Sequence, residues 1–232
     1  MKAARSAAVL FTLAGRNLFR QRARTVMALT AVAFGVASLI LSGGFVRDLY
    51  LQLGEALIRS QSGHLQIARA EYFAAGSRSP EKHRIAGIER VKATIADVPG
   101  VTTAMARLSF SALLNNGRVD VPVLGEGIEP AQEATLTTAI RMLSGRGLSA
   151  KDQYGMVVGE GLARSLQVSP GESVTLLAST IDGALNTVEF EVVGVFQSFS
   201  KEYDEHALKI PLKAAQELLA TPDANLIVVL LD

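Results

Sequence analysis

The sequence predicts an α+β protein in which one N-terminal transmembrane helix precedes an extracytoplasmic domain of mixed helices and strands. Three observations carry that prediction: a long run without ionisable side chains, a charge split around the run, and alternating helical and strand spacings beyond it. The 232 residues have a formal net charge of +1, with 49% apolar and 19% charged side chains. The charged share lies below the roughly 25% of ordinary soluble proteins, so a membrane segment has to be sought first. Apolar content this high excludes a disordered chain. The absence of Cys excludes a disulfide scaffold and thiolate chemistry.

The near-neutral total hides the split. Lys2, Arg5, Arg16, Arg20, Arg22, Arg24 and Arg47 precede the first acid, leaving 16 basic against 22 acidic residues from Asp48 onward, a net of −6. Between Arg24 and Arg47 runs TVMALTAVAFGVASLILSGGFV, residues 25–46, without an ionisable group. A helix of that length, at about 1.5 Å per residue, covers the roughly 30 Å hydrocarbon core of a bilayer. Gly35, Gly43 and Gly44 would weaken a soluble helix but suit a membrane one. A cleaved signal peptide has an apolar stretch of about 7–15 residues after a short basic start, which does not fit this run. The span is therefore expected to be retained, with its arginine-rich side, residues 1–24, in the cytoplasm and the remainder outside. The basic residues flank the span and are not read as a nucleic-acid patch. Residues 9–20, VLFTLAGRNLFR, are either an amphipathic helix on the membrane surface or an ordinary basic flank.

Val46, Leu49, Tyr50, Leu53 and Leu57 recur at helical spacing. They predict one continuous helix over 25–60, about 54 Å long, ended by Ser62-Gly63. Residues 64–68 alternate as a strand. Helical spacing returns at 85–98 and is closed by Pro99-Gly100. Strands follow at 101–114 and 119–124, around an Asn115-Asn116-Gly117 turn. A helix is expected over 131–142, a strand at 156–158, a helix at 161–166 and a strand at 173–177. The Asp182-Gly183 turn leads into a strand at 187–196, then a helix at 212–219 and a strand at 225–231.

No catalytic constellation emerges. Gly159-Glu160-Gly161 follows a strand and opens a helix, but lacks the rest of a phosphate-binding fingerprint. It and Gly125-Glu126-Gly127 are read as packing turns. The chain has no P-loop and no G-x-S-x-G elbow, and no His pair at i, i+4. Glu202, Asp204, Glu205 and His206 form the densest polar cluster and are read as a solvated loop. The chain is expected not to be an enzyme and to hold no cofactor or metal.

The order of motifs carries a resemblance. AGRNLFRQRARTVMAL, GHLQIA, DVPGV, LGEGIEP, VVGEGLARSLQVSPGESVTLL, VEFEVVGVFQSFSKEYDEHALKIPLKAAQELL and LIVVLLD follow one another along the chain. In that order the sequence resembles the first half of an ABC transporter permease of the FtsX/MacB/LolC type, most similar to the lipoprotein-releasing LolC/LolE branch. The resemblance implies a bacterial inner-membrane protein that pairs with a second permease, as a homo- or heterodimer. It also implies a separate cytoplasmic ATP-binding subunit, so that ATP is bound outside this chain. In the lipoprotein branch, membrane lipid, a lipoprotein and a periplasmic carrier would be further partners.

The resemblance further implies a two-lobed extracytoplasmic α/β domain over 61–232. A membrane-near lobe of about 56–115 plus 198–232 would be interrupted by a mostly-β lobe at about 116–197. Leu39, Ile40, Gly43, Phe45 and Val46 match the part of the first helix that lines the lipid cavity. Thr180, Ile181, Asp182 and Asn186 lie in the loop matching the carrier-recruiting hook, although residues 179–186 are short and contain no Pro. The family continues with further membrane helices, so the chain would be either a portion of a longer permease or a truncated product. The alternative function is a membrane-anchored extracytoplasmic binding or sensor domain without transport.

Overall fold

A computed structural model describes residues 21–57, 62–70, 72–75, 83–136 and 140–231. The proposed surface helix at 9–20 lies outside the described residues. The chain divides into two units, 1–54 and 55–232.

The first described element, α1, is a single helix from Arg22 to Leu57. It has no interior break, and its large apolar side chains from Val26 to Leu53 are exposed. Residues 22–54 are long and apolar enough to cross a membrane. Exposed Leu, Ile and Phe over that length are costly in water and are what a lipid solvent requires, since the helix satisfies its own backbone. The expected helix over 25–60 is thus present to Leu57; residues 58–60 lie outside the described residues.

The second unit is built on one nine-stranded sheet. In chain order the elements are β1 (Leu65–Ile67), α2 (Tyr72–Ala75), α3 (Ile88–Ala96), β2 (Val101–Asn115), β3 (Asp120–Ile128), α4 (Pro130–Leu136), β4 (Arg141–Gly145), β5 (Gly155–Gly159), α5 (Glu160–Leu166), β6 (Ser173–Ser179), β7 (Leu185–Gln197), α6 (Lys201–Asp204), β8 (Ala207–Pro211), α7 (Leu212–Leu218) and β9 (Leu226–Leu231). β2 and β3 form the antiparallel hairpin expected around Asn115-Asn116-Gly117. Asn115 Oδ1 accepts from the Gly117 N–H, and Asn116 Oδ1 accepts from the Arg118 and Val119 N–H groups. The turn is tightened by its own side chains.

Six strands pair in a closed circuit. β2 pairs with β3, β3 with β8, β8 with β5, β5 with β7, β7 with β6, and β6 with β2 again. β3 and β8 run parallel, as do β5 and β7; the other pairs are antiparallel. Within the circuit each of the six strands has two partner strands, over part of its length. Alternate residues turn into the main core: Leu108, Phe110, Ala112 and Leu114 of β2, Leu176 of β6, Phe190 and Val192 of β7, and Leu208 and Ile210 of β8. That is the period-2 pattern of a strand with one dry face. α7 packs over the same core through Ala214, Ala215 and Leu218. Outside the circuit, β9 pairs with the first half of β2, and β1 pairs with β9.

Two strands stand where none is expected. β4 occupies the end of the segment read as helix over 131–142, because the long β7 offers an edge to Arg141 and Met142; among the described residues of that segment α4 is the helical part. β8 follows the polar cluster at 202–206 and is fully buried. Because β8 and the second half of β2 hydrogen-bond within the circuit, residues 116–197 share their sheet with strands on both sides of that range. Helix α3 begins later than 85 because Ile85 forms a bridge with Ala224.

Candidate functional site

The second face of the sheet carries a cluster of charges. Arg107 on β2, Glu126 on β3 and Lys209 on β8 are joined there by Glu133, which reaches in from α4. Lys209 lies directly opposite Glu126 in the parallel β3–β8 ladder. Glu133 Oε1 accepts from Arg107 Nη2 at 2.5 Å and from Lys209 Nζ at 3.1 Å, and its Oε2 accepts from Arg107 Nε at 3.3 Å. Glu126 Oε2 sits 3.9 Å from Arg107 Nη1 and 3.7 Å from Lys209 Nζ. Arg107, Glu133 and Lys209 are only 1%, 3% and 2% exposed.

Two cations and two carboxylates make the cluster neutral, the condition under which charges remain in a dry interior. Burial alone would raise the Glu133 carboxyl pKa, but Lys209 and Arg107 outweigh burial and hold it below its ordinary value. Burial alone would lower the Arg107 pKa, and Glu133 with Glu126 reverses that and raises it. Tyr203 of α6 borders the cluster; burial, then Glu126, pushes its phenol well above the ordinary range. Both cations of the cluster are engaged by carboxylates. A neighbouring cavity of about 240 Å³ is lined mainly by apolar groups, among them Ile140, Met142, Leu148 and Phe196. The cluster's evident chemistry is to fasten α4 to the sheet.

The candidate loop joins β6 to β7. The Thr180 N–H donates to Ala184 O, the Gly183 N–H donates to Thr180 O, and Thr180 Oγ1 accepts from the Ala184 N–H. Thr180 is buried, Ile181 and Asn186 are half-buried, and Asp182 is exposed. The loop is docked on α7: the Ile181 N–H donates to Leu219 O, and Asn186 Nδ2 donates to Glu217 O and Leu218 O. These are carbonyls that a helix end leaves without an intrahelical partner. Asp182 and Leu185 remain at the tip, Leu185 with 74% of its surface exposed. On α1, Leu39, Ile40, Phe45 and Val46 are exposed, and the space around Gly43 is open.

The glycine pairs serve close packing. At Gly159 a Cβ would collide with the Asp204 backbone, and at Gly161 with Glu205. α6 therefore fills the space that a bound phosphate would need at the start of α5. At Gly127 a Cβ would collide with Ala215 of α7. In the 202–206 cluster the Asp204 carboxylate accepts from the Ser198 N–H through both oxygens, while Glu202, Glu205 and His206 are exposed. Among the described residues no three His, Asp or Glu side chains converge as metal ligands.

Reasoning from sequence missed the buried charges because they come from four elements. A signal was available: ALKIP and AMARL each place one cation inside an otherwise apolar stretch, where it needs a buried partner.

A family model described as the MacB-like periplasmic core domain matches residues 25–232. The lipoprotein-releasing system transmembrane protein LolE of Haemophilus influenzae is 25% identical over 194 residues, which are 81% of this chain. The chain spans 44% of that relative's length. The extracellular domain of the noncanonic ABC-type transporter YknZ from Gram-positive bacteria has a TM-score of 0.51 at 15% identity, covering 72% of this chain and 82% of that one. It is a likeness of fold. The periplasmic region of MacB from Actinobacillus actinomycetemcomitans gives a TM-score of 0.49 at 16% identity, over 68% of this chain and 70% of its own. The family expected from the ordered motifs is the one found: the chain belongs to the MacB-like periplasmic core domain family.

Proposed function

We propose that this chain is the N-terminal portion of an ABC-type transporter permease, anchored in the bacterial inner membrane. Residues 1–24 face the cytoplasm, 25–60 span the membrane and extend beyond it, and 61–232 form the extracytoplasmic domain. A separate cytoplasmic subunit binds and hydrolyses ATP, and a second permease completes the transporter. The chain itself holds no cofactor and couples the ATPase cycle mechanically to movement outside the membrane.

The observation that carries this reading is the unbroken helix α1. It continues from the apolar run through Arg47 to Leu57, and its hydrogen bonds all run within one segment, so it transmits displacement with little internal give. The family match over 25–232 supplies the context. Similarity to a LolE supports lipoprotein release as the transported step. In that reading Leu39, Ile40, Gly43, Phe45 and Val46 contact the lipid moiety. The loop of Thr180, Ile181, Asp182 and Asn186 meets a periplasmic carrier; Asp182 and Leu185 are its outward side chains, while Thr180 and Asn186 hold its shape.

The test is co-purification of the native full-length protein from its membranes in mild detergent. An ATP-binding subunit in stoichiometric amount, with ATPase activity that depends on the complex, is expected. Recovery without any ATP-binding subunit would overturn the transporter reading in favour of an anchored binding or sensor domain. A photo-crosslinker placed at Leu39 or Phe45 should capture acylated protein beyond bulk phospholipid; capture of phospholipid alone would remove lipoprotein release.

A further inference from the structure

β2 changes partners in mid-strand. Its first half, through Arg107, pairs with β9, and its second half, from Leu108, pairs with β3 on the opposite edge. On the β9 edge, pairing resumes only at Ala112, with β6. A strand that exchanges neighbours leaves backbone groups facing away from any ladder, and such groups must find partners when they are buried. A crossing with few hydrogen bonds is also where a sheet flexes.

Here side chains fill both gaps. On the β9 edge, Asn225 stands immediately before β9. Its backbone N–H donates to Arg107 O at 3.1 Å. Its carboxamide then acts as a peptide group would: Oδ1 accepts from the Ser109 N–H at 2.9 Å, and Nδ2 donates to Ser109 O at 2.7 Å. Asn225 is wholly buried. On the β3 edge, Glu129 stands immediately after β3. Its Oε2 accepts from the Ala106 N–H at 2.8 Å, and its Oε1 is held by Lys92 Nζ of α3 at 2.5 Å. Between these two sites the Arg107 side chain is fixed by Glu133 of α4. The partner exchange is therefore gripped from α3, α4, the end of β3 and the start of β9.

We propose that residues 106–109 form a rigid joint, in which Asn225 and Glu129 stand in for the missing strand neighbours. The β1–β9–β2 ladder and the six-strand circuit then move as one body, without a hinge in β2. α7 acts as a second strut, because the β6–β7 loop grips its last carbonyls, and Gln216 of α7 holds the segment leading to β9 by donating to Pro222 O and accepting from the Thr221 N–H. A displacement reaching β9 or the first half of β2 would arrive undiminished at Asp182 and Leu185. The rigidity stands on this geometry alone; only the origin of the displacement rests on the transporter reading.

The chain has no Cys, so two introduced cysteines are unique labelling sites. Spin labels at Val98→Cys and Leu185→Cys, both exposed, report the distance across the joint in the detergent-purified chain. One narrow distance distribution is expected. Adding Asn225→Ala and Glu129→Ala should at least double its width. Amide exchange supplies the local readout: Ser109 should exchange at least tenfold faster in Asn225→Ala, and Ala106 in Glu129→Ala, with Leu176 unchanged in both. Glu129→Gln, which keeps an acceptor oxygen, should restore the protection of Ala106. A broad or two-peaked distribution in the otherwise native chain overturns the proposal whether or not the variants fold. So does a distribution that neither substitution widens in folded protein. Failure to recover an ATP-binding subunit would overturn the transporter reading and leave the narrow distribution standing.

Discussion

Phe110 lies directly across from Gly125 in the β2–β3 ladder, and its ring occupies the space that a Gly125 side chain would fill. Phe110 is 2% exposed and turned into the closed circuit of strands. A Cβ at position 125 would collide with the far end of the ring, which cannot withdraw from a core packed on every side. Gly125→Ala should therefore destabilise the domain by about 1–3 kcal/mol, the usual cost of overpacking. Thermal unfolding of the purified protein measures it. Phe110→Leu in the same chain should recover part of the loss, and a purely additive double variant would show that the ring is not the cause.

The same strand shows what the sequence makes legible. β2 alternates visibly, with Leu108, Phe110, Ala112 and Leu114 on the dry face, and the Asn-Gly turn marks its hairpin. The long apolar helix and its continuation beyond Arg47 are equally readable, because one rule of length and one stripe of side chains suffice. β4 and β8 were not. Local spacing at 140–145 does not reveal that β7 extends far enough to recruit it, and ALKIP is too short to separate from a loop. The pairing of Arg107, Glu126, Glu133 and Lys209 depends on a parallel β3–β8 contact, and no local period encodes such a contact. The Asp182-Gly183 turn between β6 and β7 is legible in the sequence. Its attachment to the end of α7 by Asn186 was invisible for the same reason.

Glu133 makes the fold sensitive to acid. Its carboxyl pKa is lower in the folded chain than its ordinary value. The stability it contributes is therefore fully present above the unfolded pKa of about 4.3 and is lost as pH falls through the folded one. Glu133→Gln removes the carboxylate charge nearest to Arg107 and Lys209, while Glu126 stands farther off, at 3.9 and 3.7 Å. It should cost about 3–5 kcal/mol near pH 7, as expected when one partner of a buried ion pair is removed. The difference between the native chain and the variant should shrink as pH is lowered below about 4.5. A difference that stays constant from pH 7 to pH 3 would refute the charge argument.

Asn186 fixes the β6–β7 loop to the end of α7. Its Nδ2 donates to two carbonyls at the end of α7, at 3.2 Å from Glu217 O and 3.0 Å from Leu218 O. Asn186→Ala should remove about 1–2 kcal/mol of stability and speed amide exchange at Gly183 and Ala184, while Leu176 in the circuit stays protected. Asp182→Ala, at an exposed tip position, should leave both measurements unchanged within about 0.5 kcal/mol. Equal effects from the two substitutions would mean that the loop is not held by α7.

The charge split predicts which side of the membrane each end of the apolar run faces. Arg22 and Arg24 stand before the apolar run, whereas Arg47 beyond it is followed at once by Asp48, so the positive-inside rule predicts that the residues before the run face the cytoplasm. Because the native chain has no Cys, Gln21→Cys and Asp182→Cys each give one labelling site, at positions exposed in the structure. In right-side-out vesicles an impermeant maleimide should modify Cys at 182 at once and Cys at 21 only after the vesicles are opened. Replacing Arg22 and Arg24 together with Glu weakens the charge bias and should produce a fraction of molecules labelled at 21 in sealed vesicles. Labelling of both positions from the same side in the otherwise native chain would show that residues 25–46 do not span the bilayer.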